Sequence, residues 1–298
     1  MREALAIVIP AWRPQFFRLA LNSIATQTNK NFQCYIFDDA APEEIKSISN
    51  DFLDFHYTRF SENMGGHDLV GHWHRCLESV KEEWVCLFSD DDVMESNCVE
   101  EFYKTLDLYP NAALFRFARS IIDASGQIIS TARPIKNQTG LEFLKSHLRG
   151  ASSCLQDHIF NRKKLETNGG FVNFPLAWSS DAATFCLLGR EHEIVAIPSA
   201  IVQIRMSGAN ISTINTLDFL KKKIYAQKLF YLWSIQNLKL SLAHKLAFLR
   251  MFTRYASNHF LLFFQMLFQS PRILMLFLAA LSVPIYRLSF VCKINLPK

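Results

Sequence analysis

No cysteine spacing in this 298-residue chain would staple it. Seven cysteines lie at 34, 76, 86, 98, 154, 186 and 292. An odd number with no CxxC pair argues against a disulfide framework or a zinc ribbon. Cys34, Cys76, Cys86 and Cys186 fall within apolar patterns, where a reduced thiol is a small core residue. A reducing, cytosolic compartment is the expectation. A signal peptide is not expected: Met1-Arg2-Glu3 leads directly into the short run Ala4 to Pro10, which has no cleavage pattern. Glycine is missing from the segment after that run, Pro10-Ala11-Trp12-Arg13-Pro14, so no glycine loop cradles phosphates there. Clear repeats and low-complexity linkers are absent. Acid is nearly absent from the end of the chain. From Thr216 onward twelve Lys and Arg face the single acid Asp218, a net +11, so the preceding part carries −6. The two parts face different partners. Half of the residues are hydrophobic, enough for one large domain or a domain with an appendage.

The most informative feature that is present is Asp90-Asp91-Asp92, which follows the apolar run Trp84 to Phe88 and the turn-forming Ser89. Adjacent carboxylates repel, and each is costly to desolvate unless it is paired or bound to a metal. In open α/β sheets the carboxyl ends of strands are where ligands bind. The cluster therefore suggests a divalent cation holding a phosphate-bearing substrate. The bland alternative is a solvated turn with one capping Asp.

Apolar runs at 5–9, 32–37, 55–57 and 84–88 read as strands, the first and last as buried parallel ones. Helical patterning falls between them: 14–27, a segment opened by Pro42-Glu43-Glu44, and about 68–80, with another helix at about 96–108. This alternation predicts a doubly wound sheet. Two of the four strands end in acids, Asp38-Asp39 and the triple Asp. Beyond residue 110 the pattern changes. Ala112 to Ile122 and Gln127 to Thr131 read as a hairpin across an Asp/Gly turn. A helix is expected at 139–148, a strand from Ser153 to Phe160, a helix from Ala182 to Leu188 begun by Ser179-Ser180-Asp181, and a strand from Ile194 to Ile204 broken at Pro198.

The order of these features resembles the family 2 glycosyltransferases. The likeness runs through about residues 4–215. Its carriers are Ile7 to Trp12, the Ser23 to Thr28 helix end, Ile36-Phe37-Asp38-Asp39, Asn63-Met64-Gly65, His72 to Leu77, Leu87 to Asp92, Trp178 to Asp181 and Arg205 to Ser212. The resemblance implies a GT-A type doubly wound mixed sheet, with a Rossmann-like nucleotide-binding half at 1–110 and an acceptor half at 111–215; the composition of 216–298 adds a helical, membrane-associating appendage. It implies inverting sugar transfer from a nucleotide-sugar donor, with Mn²⁺ or Mg²⁺ as cofactor.

Residue roles follow from the same resemblance. Asp39 accepts a hydrogen bond from the nucleotide base, as an acceptor-only carboxylate can from a uracil N–H; capping the 42–50 helix is open to Asp38 or Asp39 instead. Pro10 and Trp12 lie where the family packs the base, Trp12 either stacking on it or joining the core. The common family form is Asp-x-Asp-Asp. Aligned on its last two acids, Ser89 replaces the first Asp, Asp91 is the metal ligand, Asp90 leans toward the ribose, and Asp92 is free to cap the following helix. Such ions take one or two protein carboxylates and complete their shell with phosphates and water. Asp181 is the general base for an acceptor hydroxyl, or else a helix-start residue held by the dipole. Arg205 clamps the diphosphate or is a plain surface arginine. Asn63 and Arg75 border the nucleotide pocket. His74 stands where relatives often have Asn, and His67, His72 and His74 are alternative metal ligands.

The tail alternates Lys221 to Lys223, Lys228, Lys239, Lys245, Arg250 and Arg254 with Phe, Leu, Tyr and Trp. Such helices lie on anionic bilayer surfaces. The apolar stretch 273–286 is short for a span of ~20 residues and contains Pro284. Expected partners are a nucleotide-sugar donor, a glycan or lipid-linked acceptor in envelope polysaccharide synthesis, the cytosolic face of a membrane and a second copy of the chain. Nucleic acid is not expected, because the tail is too apolar for a solvated groove. Two rivals stay open: a nucleotidyltransferase of similar fold, and a non-catalytic, membrane-bound partner of a transferase.

Overall fold

The computed structural model describes residues 4–133, 136–148, 153–208, 210–214, 216–238, 240–242, 245, 246 and 250. Along the first part of the chain strands and helices alternate: β1 (Leu5–Ala11), α1 (Phe17–Ala25), β2 (Phe32–Asp38), α2 (Lys46–Ser49), β3 (Phe55–Arg59), α3 (Leu69–Leu77) and β4 (Trp84–Leu87). Then come β5 (Val93–Met94), α4 (Cys98–Leu108), β6 (Leu114–Asp123), β7 (Ile128–Ala132), α5 (Gly140–Leu148), β8 (His158–Asn161), α6 (Arg162–Thr167), α7 (Ser180–Leu188), β9 (Ile194–Met206) and α8 (Leu217–Asn237).

The strands form one mixed sheet in the order β3-β2-β1-β4-β8-β6-β9-β5, with β7 paired to β6. β1 lies parallel to both β2 and β4, and β2 parallel to β3. β8 then runs antiparallel to both β4 and β6. The first strand shows why its apolar run is continuous. Ala6 and Val8 face one core with α3, α5, α7 and α8, while Leu5, Ile7 and Ile9 face a second core with α1 and α4.

Three expectations change. The helix opened at Pro42 shrinks to Lys46–Ser49. Asp38 turns the chain instead: its Oδ1 accepts the Ala41 N–H at 2.8 Å, with Ala40 at φ 53°. Pro198 does not break its strand. Phe117 pairs with Ile197 and the next residue, Ala118, with Ile201, so residues 198–200 form a bulge that accommodates a residue without an N–H. The strand from Ser153 shrinks to His158–Asn161, because a 3₁₀ turn at Leu155–Asp157 precedes it.

α8 packs into the first core through Ala226, Phe230 and Tyr231. Phe174 meets Phe230 and Trp233 edge-on. The apolar stretches 260–268 and 273–286 lie outside the described residues. Among the described residues no helix is long and apolar enough to cross a membrane.

Candidate active site

The segment that carries the three acids is fixed from below by the end of α1. Gln27 Nε2 donates to the Glu95 carbonyl at 2.7 Å, and its Oε1 accepts the Val99 N–H at 3.0 Å. Ser23 Oγ accepts the Met94 N–H at 3.3 Å, and the Thr28 N–H reaches the Ser96 carbonyl at 2.8 Å. These polar side chains therefore hold the strand that leaves the acidic turn. The other support is β5 pairing with β9, Val93 opposite Gln203.

The three carboxylates are then sorted to different partners. Asp90 Oδ2 accepts the backbone N–H groups of Trp12 and Arg13, each at 2.8 Å. Burial and the charge of Asp91 push its carboxyl up to about 6, against the pull of those two N–H groups. Asp92 Oδ1 accepts the Arg205 N–H at 2.8 Å, and burial with the charge of Asp91 raises its carboxyl well above the usual range. It does not cap α4, whose N-cap residue is Asn97. Asp91 Oδ1 accepts from Ser89 Oγ at 2.6 Å, and its Oδ2 meets only a long 3.5 Å approach from Asn210 Nδ2. Asp91 is thus the member of the cluster met by side chains, those of Ser89 and Asn210, rather than by backbone N–H groups.

Arg205 is not a surface residue. It is 2% exposed. Its Nε donates to the Asp91 carbonyl at 2.9 Å, and one terminal nitrogen donates to the carbonyls of Asp123 and Ala124. The guanidinium lies over the ring of Phe16. Arg205 thereby shapes the acidic turn through the backbone.

A second group surrounds Asp39 at the end of β2. Its Oδ1 accepts the Met64 N–H at 2.9 Å and the Arg75 guanidinium at 2.5 Å, and its Oδ2 accepts the Gly65 N–H at 2.8 Å. A Cβ at Gly65 would stand 2.8 Å from that carboxylate, which is why glycine follows Met64. Asn63 Oδ1 turns the same loop by accepting the Gly66 N–H at 2.6 Å. Arg75 covers the ring of Phe60 at 3.7 Å. Neither Asp38 nor Asp39 caps α2, whose N-cap residue Ile45 has no side-chain partner. Pro10 is half-buried in β1, and Trp12 stands 42% exposed beyond it.

The histidines of α3 serve packing. His72 Nδ1 accepts from Arg75 at 2.9 Å, and burial lowers its imidazole to about 4, so the ring is neutral. His74 Nε2 accepts the Phe171 N–H at 3.2 Å. His67 is exposed. Among the described residues no three His, Cys, Asp or Glu side chains converge as a ligand shell.

Asp181 lies in the first turn of α7, two residues after Ser179 at φ 65°. Its Oδ1 accepts the Ala182 N–H at 2.8 Å, and burial pushes the carboxyl up to about 6. Asp157 and Arg119 act on it electrostatically. They belong to a network absent from the sequence reading. Asp157 Oδ1 lies 2.6 Å from His158 Nδ1, while Arg116 and Arg119 approach its Oδ2 at 3.9 and 3.8 Å. Burial works against ionisation of Asp157, but His158 and the two arginines outweigh it and hold the carboxyl below the usual range. Burial keeps His158 below the ordinary histidine value. The Cys154 thiol, pushed up to about 12 chiefly by burial, feels both Asp181 and Asp92. The network's only sequence signal is two arginines within the apolar run 112–122.

A family model described as glycosyl transferase family 2 matches residues 6–162. No curated protein matches the chain. Among solved structures, S. aureus TarS 1–349 in complex with UDP-GlcNAc is similar at a TM-score of 0.65 and 17% identity, covering 85% of this chain and 73% of that one. The same TarS segment in complex with UDP gives 0.61 and 16%, covering 85% and 72%. Full TarS gives 0.61 and 15%, with 43% of its length covered. At these identities the likeness is one of fold, the GT-A type mixed α/β sheet.

Proposed function

The chain belongs to glycosyl transferase family 2, and from that premise we propose that it moves a sugar, with inversion, from a UDP-sugar to a hydroxyl of a glycan or lipid-linked acceptor in envelope polysaccharide synthesis. TarS, whose fold it shares, was solved with UDP-GlcNAc and with UDP. The observation that carries the reading is the sorting of the acids. Asp90 and Asp92 accept backbone N–H groups, whereas Asp91 meets only the side chains of Ser89 and Asn210, the weaker at 3.5 Å, which a ligand can displace.

Asp39, Asn63, Arg75, Pro10 and Trp12 frame the base, with the exposed indole of Trp12 available to stack. Asp90 lies toward the ribose with its Oδ1, since Oδ2 is engaged by the β1 loop. Arg205 acts on the diphosphate only indirectly, by shaping the turn. Mn²⁺ or Mg²⁺ fits this donor set, because such ions are content with one protein carboxylate, here Asp91, plus phosphates and water. When bound, the ion neutralises charge on the departing diphosphate. Asp181 takes the proton of the acceptor hydroxyl as that oxygen attacks the anomeric carbon. A carboxyl near 6 at a helix start is ionised at neutral pH and still basic enough for the task. One displacement inverts the centre.

The catalytic unit spans 1–215 and the basic tail 216–298. The outer strip of α8 supports contact with the cytosolic face of an anionic membrane: Lys221, Tyr225, Lys228 and Leu232 are all exposed on one side. The decisive experiment is a thermal-shift panel of nucleoside diphosphates and their sugars with and without Mn²⁺. Metal-dependent stabilisation by UDP or a UDP-sugar is expected. No response to any of them would sink the reading.

A further inference from the structure

Lys223 on α8 is 2% exposed, yet it is a cation. Its Nζ donates to the carbonyls of Ser212 at 3.0 Å and Ile214 at 2.7 Å. It also lies 4.8 Å from the centre of the Trp178 ring. Burial holds its ammonium below the ordinary lysine value. A buried charge is a poor device for stability alone, since a well-packed apolar side chain does as well or better. What it provides is direction: two carbonyls and one aromatic face are held around a single nitrogen.

Those partners belong to the two ends of the reaction site. Ser212 and Ile214 close the loop that contains Asn210. Asn210 Oδ1 accepts the Ser207 N–H at 3.1 Å, and its Nδ2 donates to the Arg205 carbonyl at 3.1 Å while approaching Asp91. Thr213 Oγ1 tightens the same loop by donating to the Gly208 and Asn210 carbonyls. Trp178 stands three residues before Asp181. One turn further along α8, Gln227 Oε1 accepts from Ser179 Oγ at 3.4 Å, at the left-handed residue that opens the Asp181 helix. Residues four apart share a helix face, so one face of α8 grips the Asp91 loop and the Asp181 helix start together.

We propose that Lys223, seconded by Gln227, is a positioning residue. It fixes the span between Asn210 beside Asp91 and Trp178 beside Asp181, so that donor and base are held in register. This rests on the glycosyltransferase reading above, and the two fail separately. Absence of UDP binding by the native chain would overturn the activity, not the grip.

The test uses the full chain carrying Lys223→Met or Lys223→Arg. The methionine variant should keep Mn²⁺-dependent UDP affinity within about threefold while kcat falls about 10²-fold, the penalty of a small misplacement of reacting groups. Arginine keeps the charge and donors for the two carbonyls, so Lys223→Arg should recover part of the rate that the methionine variant loses. A methionine variant with native kcat overturns the proposal. So does one that loses UDP affinity and kcat together, because Lys223 would then be a ligand contact. Should Lys223→Met not fold, Gln227→Leu carries the test at the Asp181 end. A lower kcat at unchanged UDP affinity supports positioning, and an unchanged kcat overturns it.

Discussion

The Arg75 guanidinium meets the Asp39 carboxylate at 2.5 Å, and the same carboxylate receives the N–H groups of Met64 and Gly65. The residue proposed to read the base is therefore also the anchor of the loop beside it. Base recognition and loop shape cannot be varied independently here.

Arg75→Leu should expose this dependence. It leaves a buried carboxylate short of its charge partner, at a cost of about 2–3 kcal/mol. Thermal unfolding should show a melting temperature lower by several degrees, with weaker UDP binding. An unchanged melting temperature would mean that the pair contributes nothing.

Asp91→Ala should separate metal from nucleotide. The variant keeps the bonds of Asp90 and Asp92 to the backbone, so its fold is retained. The extra stabilisation that Mn²⁺ adds to UDP in a thermal-shift assay should vanish, and transfer with it. Persistence of both would move the metal elsewhere.

Asp181→Asn is expected to gain stability while losing activity. The folded carboxyl is raised from 3.8 to about 6. Folding therefore favours the protonated form, and that contribution is fully present below the unfolded value and lost as pH rises through about 6. The native chain bears this cost at pH 7.5, on the order of 1–3 kcal/mol, and asparagine does not. The variant should melt higher than the native chain at pH 7.5, and the difference should shrink toward pH 4. Donor binding should survive while transfer is lost. For the native enzyme, transfer should fall on the acid side with a midpoint near 6. A pH-independent rate between 5 and 8 would remove Asp181 as the base.

Arg205→Lys should behave as a structural lesion. A lysine keeps the charge but cannot serve the carbonyls of Asp91, Asp123 and Ala124 with a planar fork. A loss of about 1–2 kcal/mol in denaturant unfolding is expected. Native stability with lost diphosphate affinity would instead restore the clamp.

Legibility in the sequence followed the range of the forces involved. β1 and β4 were readable because a run buried on both faces is apolar throughout, as Ala6 and Leu5 show by facing opposite cores. The acidic turn was readable because like charges rarely gather without a ligand. The allotment of those acids was not. Which oxygen of Asp90 takes the Trp12 N–H depends on two segments nearly eighty residues apart, and no local pattern encodes it. The same holds for Asp157, whose partners Arg116 and Arg119 come from a neighbouring strand. Pro198 misled for a different reason. Its missing N–H forbids a ladder bond, but a bulge removes the need for one.

The pairing of β5 with β9 sets an order of assembly. The parallel strands β1 to β4 lie within the first 87 residues, and Asp90, Asp91 and Asp92 come directly after them. Yet the N–H that engages Asp92 belongs to Arg205, and the strand opposite Met94 begins only at Ile194. As the chain emerges from the ribosome, Asp92 is made more than a hundred residues before the Arg205 that holds it. Contacts this distant in sequence close late. An N-terminal fragment ending before β9 would carry every acid of the turn and hold Asp90 through Trp12 and Arg13, yet lack the Arg205 N–H that holds Asp92. The acidic turn is thus completed only after residue 205 has been made, even though its most conspicuous residues are made early.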